Sequence, residues 1–339
     1  MRVNARSNAG VIRMHEQTSV MVTGASGFVG GAILRALRAS GRRFVAIGKR
    51  PAGAPADEVW DSAELLDRDA VAALMTRHRP GALIHAAWAR SRPGGLWDAP
   101  DNVAWRDAGM ILFEEFWQSG GRHVTACGSC AEYAPGDDPC REGVTPIAPQ
   151  SLYGKAKAEL HDMAATRAAQ LGKSLAWARI FYLFGPNEAA SRLVPSVIDS
   201  LLRGEPAKTA SGMIRRDFAL VDDIGEGIAA LTGAGVSGAY NVASGEAIRL
   251  RDLVTRIGTI MDRPDLIEIG ALPDRAGEAP VIAADVTKIA RDTGWQARTP
   301  LDEGLRRTIA DRRSAFFSDD GLFSDDGLFS DDRQGPAQL

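Results

Sequence analysis

Tyr153 and Lys157 lie four residues apart in "SLYGKAKAELHDMAATRAAQLG" (151–172). The length and composition of that stretch predict a helix, so the two side chains share one face. A free phenol has a pKa of about 10, too high to trade protons well at neutral pH. Lowering it by about three units requires about 4 kcal/mol of preference for the phenolate. An ammonium about 5 Å away supplies about 3 kcal/mol at an effective dielectric of about 20. The pair is therefore suited to general acid–base work.

A second constellation is "TACGSCAEY" (125–133), with Cys127 and Cys130 two residues apart and Ser129 between them. The cysteines could form a redox couple or half a zinc site, or they could be small filler around a functional serine hydroxyl. Cys140, the third and last cysteine, leaves a zinc site short of ligands. A redox couple of this spacing normally opens a helix, whereas this one ends a predicted strand in a glycine turn. Small structural residues and no metal site are expected.

A third feature is "TGASGFVG" (23–30), where Gly24, Gly27 and Gly30 stand between an apolar run and an amphipathic stretch. Glycines there let the chain turn tightly and let a pyrophosphate approach without a Cβ in the way. The helix starting near Phe28 and Val29 points free N–H groups and a positive dipole end at the phosphates. A nicotinamide dinucleotide is expected, and its oxidised, positive ring would further favour the Tyr153 phenolate. A carboxylate at the end of the second strand would accept a ribose 2′-hydroxyl. Gly48, Lys49 and Arg50 stand there instead. Two cations suit a 2′-phosphate, so NADP(H) is favoured over NAD(H). Glu64 and Leu65 are candidates for the adenine edge. Ala86 and Ala87 are small residues where a strand could pass close to a ribose.

The elements that must position these groups alternate. Strands are expected at 19–22, 44–47, 58–60, 82–87, 122–127 and 174–181. Helices are expected from Phe28 to about Gly41, and over 67–78, 102–119 and 151–172. That order predicts an α/β fold, a doubly wound parallel (Rossmann) sheet with a smaller C-terminal substrate-binding region. The organisation is an irregular extension over 1–18, with Met14 an alternative start, and a dinucleotide-binding unit over 19–186. A substrate region over 187–315, partly returning to the main sheet, and a disordered acidic repeat tail over 316–339 follow. The tail repeats Ser-Asp-Asp-Gly-Leu-Phe.

The chain has 339 residues and a formal net charge of −3. Near-neutrality gives no electrostatic footprint for nucleic acid or an anionic membrane. An odd, small number of cysteines does not suit a secreted disulfide scaffold. With no signal-like or spanning apolar run, a cytoplasmic protein is expected.

Together, "TGASGFVG" and "YGKAK" (153–157) resemble the extended short-chain dehydrogenase/reductase superfamily, in its sugar-nucleotide epimerase, dehydratase and reductase group. "LIHAAW" (83–88), "RIFYLFGP" (179–186), "RRDFALVDD" (215–223), "YNVASGE" (240–246) and "PDRAGEAP" (273–280) extend the likeness over about 19–311. The resemblance implies that Ser129, four residues before Tyr133, hydrogen-bonds the reacting substrate oxygen. It makes Tyr153 the acid/base, and Lys157 the residue that holds the cofactor ribose and biases Tyr153. It implies a nucleotide-diphosphate sugar as substrate, Arg216 on its pyrophosphate, Arg275 and Glu278 on the nucleotide, and Arg192 with Leu193 near the base. It also implies a homodimer.

Departures narrow the chemistry. The family's 4,6-dehydratases carry Asp-Glu directly after the serine or threonine, where this chain has Cys130 and Ala131. Glu132, one place further along the expected strand, should face the other way. Dehydration is therefore not expected. Tyr182 stands where an asparagine often contacts the sugar diphosphate. Trp88, Trp97 and Trp105 could form a sugar-stacking wall or a loop core. The favoured reaction is NADPH-dependent reduction of a nucleotide-linked 4-keto-6-deoxyhexose, as in deoxysugar and O-antigen pathways. The alternatives are an NAD-dependent 4-epimerase, a non-catalytic dinucleotide sensor and a thiol oxidoreductase.

Overall fold

The computed structural model describes residues 19–89 and 95–319. The expected irregular extension and most of the acidic repeat lie outside the described residues. The chain opens with β1 (Val20–Thr23), α1 (Phe28–Ala39), β2 (Phe44–Ile47), β3 (Val59–Asp61), α2 (Arg68–His78) and β4 (Ala82–His85). It continues through α3 (Asp101–Gln118), β5 (His123–Ser129), α4 (Leu152–Leu171), β6 (Ser174–Ile180) and β7 (Tyr182–Phe184). The rest comprises α5 (Leu193–Leu202), β8 (Ala207–Thr209), β9 (Arg215–Leu220), α6 (Val221–Ala234), β10 (Gly238–Val242) and β11 (Ala247–Arg249). Last come α7 (Leu250–Ile260), β12 (Ile267–Ile269), β13 (Val281–Ile282), α8 (Thr287–Thr293) and α9 (Leu301–Asp319).

Seven strands pair in the order β10-β6-β5-β4-β1-β2-β3, all parallel. The chain runs outward from β1 to β3, then crosses back to β4 on the other side of β1. That reversal opens a crevice at the carboxyl ends of β1 and β4, the usual ligand position in such sheets. Strands buried on both faces read as unbroken apolar runs, as in Val20-Met21-Val22.

Helices cover both faces. On one, α1 and α6 bury Ile33, Leu34, Leu37, Ile224, Ile228 and Leu231 against the sheet. On the other, α2, α3 and α4 bury Leu74, Leu112, Phe113, Phe116, Leu160 and Ala164. Leu37 is fully buried, and its truncation to alanine would cost about 2–5 kcal/mol. The α1–α6 crossing is tight: a Cβ on Gly225 would lie 2.5 Å from the Ala32 carbonyl carbon.

Residues beyond 186 pack in two directions. β10 and α6 join the main sheet and its cover. A separate core of Val194, Ile198, Leu201, Leu253, Ile257 and Leu305 joins α5, α7 and α9. Beside it, β9 carries β11, β13 and β7, and β8 pairs with β12. Helix α9 continues to Asp319, into the first acidic repeat. Among the described residues no helix is long and apolar enough to cross a membrane.

Candidate active site

The glycine turn is shaped by contact as well as by conformation. Gly24 has φ +70°. A Cβ there would lie 2.6 Å from the Ala87 amide nitrogen and 2.8 Å from the Ala86 carbonyl carbon. A Cβ on Gly30 would strike the Gly24 carbonyl. The Gly27 N–H donates to the Gly24 oxygen at 2.9 Å. No side chain caps α1 at Gly27, so the amides of Phe28, Val29 and Gly30 open the helix without a side-chain acceptor. This cradle fits the diphosphate of a dinucleotide.

The flanking candidates behave differently from one another. Lys49 is exposed. Arg50 curls back, donating to the Pro55 carbonyl at 2.7 Å and to that of Ala54 at 3.3 Å. Both expected cations are exposed, and Arg50 differs in having one Nη engaged by its own 51–55 loop. Glu64 accepts from the Leu66 amide at 3.2 Å within its own turn. Leu65 and Ala87 are buried in the same apolar cluster, and Ala86 is half-buried where it meets the glycine turn.

Ser129 ends β5, while Tyr153 and Lys157 stand on the first turns of α4, which Ser151 caps by accepting from Gly154 N–H. Tyr153 is half-buried and Lys157 buried. The Ser129 hydroxyl lies near enough to the Tyr153 hydroxyl to favour its phenolate. Lys157 Nζ donates to the Cys127 carbonyl at 2.7 Å and lies 5.9 Å from the Tyr153 ring centroid. Burial pushes Lys157 down to about 8, although Cys127 and Glu132 favour its charge. Burial pushes Tyr153 above its ordinary value, outweighing the opposing pull of Ser129. The protein by itself holds Tyr153 protonated.

Trp88 and Trp97 frame the pair. Both pack edge-on to the Tyr153 ring, at 6.2 and 5.6 Å. The Tyr153 amide donates to the Trp97 carbonyl at 2.8 Å. The Trp88 ring centroid lies 3.6 Å from Lys157 Nζ, and its indole N–H donates to Asn102 at 2.9 Å. Trp105 packs against the α2–α4 core. Trp88 and Trp97 thus pack around Tyr153.

The three cysteines are free thiols. Burial pushes Cys127 and Cys130 up to about 12, the opposite of what a thiolate nucleophile needs. Glu132 does not lie on the expected strand. β5 stops at Ser129, and Cys130–Glu132 forms a single 3-10 turn. The turn swings Glu132 inward, where it is 0% exposed and pairs with Arg179 at 2.7 Å.

The residues that resemble a nucleotide-sugar site divide. Arg216 is 2% exposed, with Nη1 donating to the Arg215 and Ala279 carbonyls at 3.0 and 2.8 Å. Its Nη2 lies 3.9 Å from Glu278, and its buried Nε has no partner among the described residues. The Tyr182 ring centroid lies 5.5 Å from that guanidinium, and burial pushes Tyr182 up to about 12. Arg192 precedes α5 and faces Glu188 at 4.0 Å, while Leu193 begins that helix. Arg275 is an exposed residue between β12 and β13.

The sequence alone missed two participants. Trp88 was left open between a sugar-stacking wall and a loop core, with no contact to Lys157 expected, and Arg179 carried no role beyond its motif. An arginine inside an apolar strand was the available signal, since a buried guanidinium demands a partner.

Comparison with known proteins follows the same lines. The model of the NAD dependent epimerase/dehydratase family matches residues 20–243. A UDP-glucose 4-epimerase of Mycolicibacterium smegmatis is 28% identical over 308 residues, covering 85% of this chain and 96% of that protein. A probable dTDP-glucose 4,6-dehydratase of Sinorhizobium fredii is 25% identical over 319 residues, covering 86% of this chain and 91% of that protein. The solved structure of MoeE5 in complex with UDP-glucuronic acid and NAD superposes with a TM-score of 0.75 at 27% identity, covering 88% of this chain and 99% of that one.

Proposed function

Because the chain belongs to the NAD dependent epimerase/dehydratase family, we propose that it interconverts an alcohol and a ketone at C4 of a nucleotide-diphosphate sugar, without dehydration. The observation that carries this reading is that Trp88, next in the chain to the Ala87 that meets the glycine turn, packs on both Tyr153 and Lys157, while Lys157 also holds the Cys127 carbonyl near Ser129. A nicotinamide dinucleotide bound along Gly24, Gly27 and Gly30 would supply or take up the hydride.

Tyr153, held protonated, gives its proton to the C4 oxygen as that oxygen gains charge. Ser129 donates a hydrogen bond to the same oxygen. Lys157 keeps a positive charge at the base of the site. Arg216 takes the substrate's diphosphate; a buried guanidinium with an unpartnered Nε is a strong acceptor-seeking group. Arg192, Leu193 and Arg275 belong to the nucleotide end in this reading. Cys130 and Ala131 lack the carboxylates that water removal needs.

Net reduction of a 4-keto-6-deoxy sugar with NADPH is the first reading. It is supported by exposed Lys49 and by the absence of a carboxylate where β2 ends. NAD-dependent 4-epimerisation is the second. It is favoured by Arg50 being held by its own loop and by relatives that are epimerases or bind NAD. The family likeness also supports a homodimer, which light scattering would test.

The test is a screen of UDP- and dTDP-linked 4-ketosugars with NADPH, run beside UDP-glucose with NAD. NADPH consumption with a 4-hydroxy product supports reduction. Tightly retained NAD and interconversion of C4 epimers support the second reading. Tyr153→Phe with undiminished turnover would remove the proposal altogether.

A further inference from the structure

We propose that Glu132 is a positioning residue whose buried carboxylate fixes where the Ser129 hydroxyl stands. This rests on the reading of Ser129 as the group that steadies the reacting oxygen.

The geometry is fully specified. One carboxylate oxygen accepts the Ser129 N–H at 2.8 Å and the Trp177 indole N–H at 2.9 Å. The other accepts Arg179 Nε at 2.7 Å, with the indole at 3.1 Å. Ser129 Oγ in turn accepts the Ala131 N–H at 3.2 Å. One lone pair of the hydroxyl is thereby held, and the hydroxyl keeps its single proton to donate. Gly128 makes room, since a Cβ there would collide with the Trp177 indole nitrogen and lie 2.6 Å from Glu132 Oε1.

The anchor reaches across three adjacent strands. Arg179, on β6, donates to the Tyr133 hydroxyl at 3.1 Å. Tyr133 donates to Asn241 Oδ1, on β10, at 2.7 Å. Asn241 Nδ2 then donates to the Cys140 carbonyl at 2.8 Å. Ser129, at the tip of β5, is thus referenced to the sheet behind it, not only to its own turn.

Energetics argue that stability alone does not explain the arrangement. Side-chain exposures of 4% for Arg179 and 0% for Glu132 place both charges out of water. Such a pair is often no more stable than apolar residues of the same volume. What it does supply is geometric definition at the serine, where small displacements are costly to catalysis.

The test uses the full chain with Glu132→Gln, Ser129→Ala and the double variant. Amide exchange by mass spectrometry is read first. Exchange within 128–132 should rise about tenfold in Glu132→Gln while β1 and β4 stay protected. Turnover is read with the UDP- or dTDP-linked sugar that the screen above identifies. Glu132→Gln should lower kcat about tenfold, with the sugar KM and dinucleotide Kd within about twofold. On top of Ser129→Ala it should cost less than about twofold, because a group acting through Ser129 loses its effect when the hydroxyl is gone. Unchanged exchange, or losses that multiply fully in the double variant, would overturn the positioning role alone. Full turnover in Ser129→Ala would instead remove the reading beneath it. If Glu132→Gln does not fold, Trp177→Phe removes one donor and no charge, and must show a smaller loss of the same non-multiplying kind.

Discussion

The ammonium of Lys157 stands 3.6 Å from the centroid of the Trp88 ring. An indole face favours a cation by about 0.5–2 kcal/mol, more when both are desolvated. Here it offsets part of the burial that drives Lys157 down to about 8. Trp88→Leu should therefore move the alkaline limb of the kcat–pH profile about 0.5–1 unit lower. A limb that stays in place would show that the ring does not support the charge.

The same lysine separates activity from stability at alkaline pH. Turnover that needs the ammonium declines as pH rises past about 8. Stability runs the other way. With the folded pKa depressed below the ordinary lysine value of 10.5, the folded chain binds fewer protons than the unfolded chain between about 8 and 10.5. The contribution of Lys157 to stability therefore rises across that window. Paired kcat and thermal-melt series from pH 7 to pH 9.5 should show turnover falling before the melting temperature does. Simultaneous loss would contradict this assignment.

Lys49 and Arg50 should respond unequally to removal. Arg50 is occupied by the Ala54 and Pro55 carbonyls, whereas Lys49 is exposed beside the cradle. Lys49→Ala should weaken NADPH binding about tenfold, and Arg50→Ala by less than about threefold. Fluorescence titration of both variants with NADPH and NADH measures this. Equal losses would mean that the arginine leaves its loop to bind.

Arg216→Lys keeps the charge and loses the planar fork. The sugar KM should rise about 10- to 100-fold while dinucleotide Kd stays constant. A change confined to dinucleotide affinity would place Arg216 at the wrong ligand.

The central sheet was legible because buried parallel strands and amphipathic helices have plain periodicities. β2 occupies the expected 44–47, and α4 begins one residue inside its expected start. Tyr153 and Lys157 could be paired from spacing alone. What spacing could not convey was environment. The acidity of Tyr153 turned on burial, and the availability of Arg50 turned on two carbonyls of a loop with no periodic signature. Glu132 was read as part of a strand because nothing in the alternation of "ACGSCAEY" announces the three-residue turn that carries it. The short strands β7, β8 and β11 to β13 were equally opaque, since two or three residues cannot establish a period.

The crossing of α6 over α1, closed by Gly225 against Ala32, has a practical consequence for engineering. A fragment cut after residue 186 would strip the apolar side of α1 and leave β6 as a raw, aggregation-prone edge. Chimeras that exchange sugar preference with a relative must therefore keep native residues 221–242 and graft around them, since the cofactor half is completed by polypeptide made after it.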